Sequence, residues 1–188
     1  MQDRLLGDKK ESSGYIFYVI VLLIFIFIFN LINNFIIVVQ VDGASMNNTL
    51  SHGDVLFVDK NFEIERGDVI IFDRYYGKLI KRVIALEGDE LYCQDGEVFI
   101  KRAGEKDFSK LEEDYVKGLT YNISITQVKE GTVYVLGDNR ENSKDSREFG
   151  AISISEINGE VSQSSIKNKS TSTFFMGWIF KLSEFFGR

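Results

Sequence analysis

Proline is absent from the 188 residues, and cysteine and histidine occur once each, as Cys93 and His52. Without proline there is no proline-rich linker, so segment boundaries have to be read from Gly, Asn and Ser. A lone cysteine excludes an internal disulfide and any multi-cysteine metal site, and a lone histidine excludes the two-histidine zinc motifs. Stability therefore has to come from packing, for which 44% hydrophobic content is sufficient. Basic residues are also short, 22 Lys and Arg against 28 Asp and Glu, for a net charge of −6. That balance argues against a nucleic-acid partner. No internal repeat is present, and the length fits one domain with an appendage.

What the chain does have is a long apolar run near its start. Residues 15–29 are unbroken apolar residues, and after Asn30 the pattern resumes through Leu31, Ile32 and residues 35–39. The whole comes to about 25 mainly apolar residues, against about 20 for a bilayer core. Asn30, Asn33 and Asn34 weaken its second half and would tilt the span or lie near a headgroup layer. Arg4, Lys9 and Lys10 precede the run, and no Lys or Arg follows Gln40 until Lys60. The positive-inside rule then puts the N-terminus in the cytoplasm and the rest of the chain outside it, where an unpaired Cys93 has no partner to cross-link. A cleaved signal peptide is the rival reading. It is disfavoured because no small-x-small site follows promptly, Val41-Asp42-Gly43-Ala44 being a poor match.

From Val41 onward, short apolar or alternating runs are punctuated by turn formers, as in residues 55–58, 69–72, 79–85, 91–93, 98–100 and 132–136. This is strand spacing. Asp95-Gly96 between two such runs predicts a hairpin, and residues 73–77 are expected to turn a second one. No strand is followed by a long amphipathic helix, so the fold class expected is mainly β, an antiparallel, barrel-like domain behind one N-terminal transmembrane helix. The charged stretch 101–117 reads as a surface insertion. At the C-terminal end, residues 162–173 are polar and linker-like. Beyond them Phe174, Trp178, Leu182 and Phe185 fall at helical spacing with Phe175, Ile179 and Phe186 beside them. That tail is too short to span, and two readings stay open: a helix lying on the membrane, or one docked on the β domain. The expected segments are thus 1–14 cytoplasmic, 15–40 transmembrane, 41–161 extracytoplasmic β domain, 162–173 linker and 174–188 amphipathic tail.

Three features can carry chemistry. Ser45 stands in Gly43-Ala44-Ser45-Met46-Asn47-Asn48-Thr49-Leu50, among small residues and turn formers. Most such serines are ordinary turn residues, and a hydroxyl is a weak nucleophile until a base takes its proton. His52 is seven residues on, an awkwardly local partner. A lysine can serve instead if its amine is neutral near pH 7, a downward shift of roughly three units that burial can supply. In residues 78–85, strand alternation places Lys81 with Leu79, Val83 and Ala85, a charge among apolar neighbours, although a lysine snorkelling from a strand edge gives the same pattern. Arg82 is excluded as a base because guanidinium does not deprotonate. The third feature is the polar loop 137–147. As a calcium loop it fails, with Arg140 and Ser143 where an oxygen ligand and a glycine are needed.

Taken in order, Gly43-x-Ser45-Met46-x-x-Thr49-Leu50, Arg66-Gly67-Asp68-Val69, Lys81-Arg82-Val83-Ile84 with Gly88-Asp89, and Gly137-Asp138-Asn139-Arg140 through Asn142-Ser143, Asp145-Ser146-Arg147 and Gly150 resemble type I signal peptidase. Each box alone is weak; four at compatible spacing are specific. With the N-terminal anchor the resemblance covers about residues 10 to 161, and the short outer domain with Val41-Asp42-Gly43 is similar to the Gram-positive branch. It implies that Ser45 is the nucleophile, Lys81 the general base and Ser143 a hydrogen-bond partner of the lysine amine, with Asp145 and Arg147 a structural pair. It also implies a largely antiparallel β fold, no cofactor and no metal, a lipid bilayer as surroundings, and cleavage of exported preproteins after small residues at positions −3 and −1.

Two departures stand out. The family usually carries proline at the position of Asn48, and the replacement is expected to lower rigidity without loss of function. Gly43 occupies a position where some relatives carry a serine whose hydroxyl helps hold the oxyanion, which leaves the Ser45 N–H as the main donor. A self-cleaving repressor-type peptidase, an anchored module that has lost turnover, and a secreted soluble β domain are the other functions compatible with parts of the pattern.

Overall fold

The structure is a computed structural model that describes residues 2–75, 77–121 and 123–167, with the backbone alone for residues 2–13, 31–34 and 36. The expected amphipathic tail, residues 174–188, lies outside the described residues. The chain divides into two compact units, Met1–Ile36 and Ile37–Arg188.

The first unit is essentially one helix, α1, Gln2–Phe35. Every side chain from Tyr15 to Phe29 is exposed, from 38% at Val19 to 73% at Tyr15. The Asn30 amide turns back to donate to the Ile26 carbonyl at 2.8 Å, so its polar end is satisfied within the helix. Among the described residues no helix is long and apolar enough to cross a membrane. The span expected over residues 15–40 is moreover shorter at its end. Ile36–Gln40 form strand β1, a change that β-branched Ile36, Ile37, Val38 and Val39 favour over helix.

The second unit is mainly β, with few helices. Its strands after β1 are β2 (Val55–Asp59), β3 (Val69–Arg74), β4 (Gly77–Ala85), β5 (Glu90–Gln94), β6 (Glu97–Lys101), β7 (Ser109–Lys110), β8 (Thr126–Gln127), β9 (Thr132–Leu136), β10 (Ile152–Ser153) and β11 (Ile157–Val161). They form a seven-stranded sheet in the order β1-β2-β11-β3-β4-β9-β10 and a four-stranded sheet in the order β7-β6-β5-β8. The strand pairings resolved within both are antiparallel. The barrel-like closure expected from the strand spacing does not form. β1 and β10 remain edges of the larger sheet, and β7, β8 and β10 are two-residue strands that end their ladders.

The Asp95-Gly96 hairpin forms between β5 and β6, with Leu91 opposite Ile100. Both turn residues take positive φ, 53° and 85°, as a two-residue primed turn requires. The second hairpin is tighter than expected. Arg74 pairs with Gly77, so Asp73 and Arg74 belong to β3 and the turn begins at Tyr75.

Alternation along β3 divides the large sheet's packing. Val69 and Ile71 face a core with Leu56, Val58, Met46 and Leu50, whereas Ile70 and Phe72 face another with Val83, Val133, Val135 and Ile152. A third core joins the two sheets, Ile84, Ala85 and Leu136 packing on Leu91, Val98 and Ile100. Two segments differ from their sequence reading. Gln163–Lys167 is a short helix, α3, not linker: Ser165 is buried and accepts a hydrogen bond from the Phe57 N–H at 2.9 Å. The stretch taken as a surface insertion does more than cover the surface, since Glu113 forms an ion pair with fully buried Arg140.

Strand β11 runs so close to β2 that a Cβ on Gly159 would strike the Asp59 carbonyl and stand 2.6 Å from Val58 Cγ1. Gly159→Ala is therefore expected to cost about 1–3 kcal/mol in urea denaturation. An unchanged midpoint would show that the two strands separate freely.

Candidate active site

Ser45 is placed by a tight turn whose ends are pinned in the core. Met46 and Leu50 are buried at 2% and 0% exposure, and the Thr49 and Leu50 N–H groups both donate to the Met46 carbonyl. Upstream, Val41 is held to the 51–54 turn by reciprocal backbone bonds with Gly53 and Asp54. Between these anchors Gly43 takes φ +113°, a conformation that favours glycine.

Lys81 comes from the centre of the large sheet. β4 lies between β3 and β9, and Lys81 pairs with Ile70, whose side chain shares its face. The lysine is 2% exposed. Its Nζ donates to Ser45 Oγ at 2.8 Å and to the Ile80 carbonyl at 2.8 Å. Burial pushes the amine down from 10.5 to about 8, against the raising influence of the Asp145 and Asp138 carboxylates. Serine and lysine line a cleft of about 250 Å³, whose walls include Val39, Gly43, Ile71 and Leu79. His52 is 74% exposed, lies 3.3 Å from the Asp42 carboxylate and accepts from the Gly43 N–H at 3.4 Å.

Of the supporting residues named from sequence, Asp145 and Arg147 form an ion pair at 2.8 Å. Asp145 also accepts from the Gly137 N–H at 3.0 Å and caps the short helix α2, Ser146–Phe149. Arg147 reaches the Arg140 carbonyl at 2.7 Å, so the pair closes the loop between β9 and α2 on itself. Ser143 is not bonded to the lysine amine. Its Oγ is buried without a hydrogen-bond partner among the described residues, and the amine's second bond goes to Ile80 instead. Gly137 lies in between: a Cβ there would clash with Ser143 Oγ and stand 2.6 Å from the Ser45 carbonyl oxygen.

Several residues hold the site together in ways that were not assigned to them from sequence. Asp138 is buried and takes both Arg82 Nε, at 2.9 Å, and Arg82 Nη2, at 2.6 Å, as well as the Thr49 hydroxyl. The Arg82 guanidinium lies 4.0 Å from the centre of the Tyr115 ring. Asn139 bonds the backbone of Ala44 and Ser45. Asn48 takes φ +96° and its amide donates to the Tyr115 carbonyl at 3.1 Å. Asp138, Asn139 and Arg140 stood inside a recognised motif, but nothing in their spacing said what each would hold. The chemistry the arrangement permits is proton transfer from a serine hydroxyl to a lysine amine in direct contact with it.

Comparison with known proteins adds a family. The model for "Signal peptidase, peptidase S26" matches residues 13–165. Signal peptidase I T of Bacillus subtilis is 32% identical over 151 residues, covering 74% of this chain and 78% of the relative. Signal peptidase IB of Staphylococcus aureus is 31% identical over 177 residues, covering 82% and 89%. A crystal structure of a signal peptidase I from Enterococcus faecalis aligns with TM-score 0.43 and 26% identity over 54% of this chain and 98% of that one.

The geometry makes two predictions. A lysine whose folded-state value lies below its unfolded one carries a penalty that is fully present below about pH 8 and is relieved as pH rises towards 10.5. Lys81→Met should accordingly raise stability at pH 7 by about 2–3 kcal/mol in chemical denaturation, with the gain shrinking above pH 8. A gain independent of pH would contradict a depressed amine. Asn48→Pro should destabilise, because proline fixes φ near −65° and cannot adopt the observed +96°. Asn48→Gly keeps the backbone accessible and should melt close to wild type in the same thermal scan.

Proposed function

We propose, for a chain that belongs to the signal peptidase family, peptidase S26, that it removes signal peptides from exported preproteins as a serine endopeptidase. Ser45 serves as nucleophile and Lys81 as general base. The observation that carries this reading is the 2.8 Å contact between Ser45 Oγ and an amine lowered to about 8.

In the proposed reaction, neutral Lys81 accepts the Ser45 proton as Oγ attacks the scissile carbonyl carbon. The tetrahedral intermediate expels the amine of the mature protein, which takes that proton from Lys81 and leaves an ester on Ser45. Water, losing a proton to the now neutral Lys81 amine, attacks the ester; Ser45 departs and regains its proton from Lys81. Asp145, Arg147 and the Asp138–Arg82 pair hold the polar loop against the nucleophile turn without touching the scissile bond. The scheme uses side chains and water alone. With no hydroxyl at Gly43, the developing oxyanion is met by the Ser45 backbone N–H.

The same proposal places the enzyme in the plasma membrane as a single-pass protein, with α1 as anchor, its N-terminus cytoplasmic and the β unit on the outer side. In its support, the exposed apolar side chains of residues 15–29 have nothing to gain from water. The Lys and Arg flanking the run also lie on its N-terminal side.

The test is cleavage of a preprotein bearing a small-x-small site by the full chain in detergent. Ser45→Ala and Lys81→Met should each lower turnover by about 10⁴-fold or more. Since only the neutral amine can take the proton, kcat/KM should rise about tenfold per pH unit up to about 8 and level off above it. Activity retained in either variant, or a rate flat across that range, would remove the dyad.

A further inference from the structure

Asn139 follows Asp138 in the loop after β9, is 8% exposed, and makes two bonds to the backbone of the nucleophile turn. Its N–H donates to the Ser45 carbonyl at 3.0 Å and its Nδ2 donates to the Ala44 carbonyl at 3.0 Å. The second bond matters most, because the Ala44 carbonyl and the Ser45 N–H belong to one peptide unit. That unit is planar and trans, so its C=O and N–H point in opposite directions, and holding one fixes the other. A donor on the carbonyl also polarises the amide and strengthens its N–H as a donor.

The Ser45 N–H itself makes no hydrogen bond among the described residues. The Ala44 carbonyl has one other donor, the Asn47 N–H at 3.0 Å, but that bond lies inside the turn and moves with it. Asn139 arrives from another part of the chain. The Asp138 carbonyl and Arg140 N–H on either side of it are tied to Lys117, at 2.7 and 2.9 Å. β9, which leads into this loop, pairs directly with β4, the strand of Lys81. The side-chain bond of Asn139 thereby references the Ala44–Ser45 peptide to the same framework that holds the base.

We propose that Asn139 is a positioning residue for the oxyanion: it aims the Ser45 N–H at the point where the scissile carbonyl oxygen gains its negative charge. The role is demanding here because Gly43 supplies no hydroxyl to share that charge. The inference rests on the serine-peptidase reading of the same site.

The test compares wild type with Asn139→Leu, which keeps the volume and removes the donor, and Asn139→Ala, with folding followed by thermal melting. Two readouts are taken on the full chain in detergent: preprotein cleavage, and binding of a peptide boronate whose tetrahedral adduct on Ser45 puts an oxygen in the oxyanion position. In the variants kcat should fall about 10–100-fold with KM within about twofold. Boronate affinity should fall by the same factor, since it reports the transition state. The pH inflection near 8, which belongs to Lys81, should stay in place. A merely structural role would move the inflection or KM along with kcat. Wild-type turnover in a folded variant, or a loss of turnover without a matching loss of boronate affinity, would overturn the assignment. If wild type neither cleaves nor binds the boronate, the peptidase reading falls as a whole. If wild type does both and the variants match it, the Asn139 role alone falls.

Discussion

Everything at this site depends on keeping a lysine amine out of water while a hydroxyl stays within its reach. The two lysines of β4 show what that requires. Lys78, near the strand's start, keeps 53% of its side chain exposed and pairs with Asp73 at 2.7 Å. Lys81, three residues further on, is 2% exposed and bonds only neutral oxygens, Ser45 Oγ and the Ile80 carbonyl. A lysine on an edge strand would lead its amine to solvent and keep its charge. Lys81 instead lies opposite Ile70, with Leu79 and Val83 of the same core on its face, so that escape is closed. The large sheet in this sense supplies the burial that lowers the amine to about 8.

Around this buried amine the fold sets three arginine–carboxylate pairs: Arg82–Asp138, Arg140–Glu113 and Arg147–Asp145. Their carboxylates are 0–9% exposed. Such pairs add little net stability over well-packed apolar residues, because desolvation cancels much of the attraction; losing one partner, however, costs several kcal/mol. Their contribution here is geometric. Arginine has more donors than one carboxylate can use, and each of these three sends another to a backbone carbonyl: Arg82 to Gly67, Arg140 to Gly137, Arg147 to Arg140. Two of these bonds, to Gly137 and Arg140, hold the irregular loop after β9 from within. The Asp138 and Asp145 charges also work against the burial of Lys81, so the amine rests at about 8 and not lower. At about 8, roughly a tenth of the amine is neutral at pH 7.

Much of this was legible in the sequence where local rules operate. Period-two alternation set Lys81 with Leu79 and Val83, though Ala85, past an irregularity in the β4–β9 pairing, packs in another core with Ile84; a turn dipeptide fixed the β5–β6 hairpin, because both signals involve only neighbours in the chain. Legibility stopped where distant segments decide the outcome. Asn48 read as a softer substitute for proline. Its amide, however, is bound to Tyr115, sixty-seven residues away, and its backbone adopts a φ closed to proline. Residues 101–117 read as a charged insertion; Arg102 does pair locally with Glu105, but the ion pair of Glu113 needs distant Arg140 to be brought to it. Ser143 was assigned a bond to the lysine by position in a motif, yet motifs carry residue types and not rotamers. Residues 162–167 looked like linker because a serine-rich stretch has few apolar signals. Ser165 is nevertheless buried against β2, and Ile166 packs on the same core.

The small size of the cleft gives the proposed membrane anchor a physical purpose. At about 250 Å³ it falls below the range of sites that enclose a ligand by themselves, roughly 300–1,000 Å³, and an extended peptide laid across it would bury limited surface. Affinity for a free peptide should be correspondingly weak. The nucleophile, however, is ten residues from the end of α1, a contour of at most about 35 Å. In the anchored form proposed here, a substrate whose own apolar segment occupies the same bilayer meets the serine within that thin layer. Confinement then raises the effective concentration without any added contact. Under that proposal, binding energy that a soluble peptidase would have to build into its cleft would be supplied by the shared surface, and the site would need only to orient a few residues around the scissile bond.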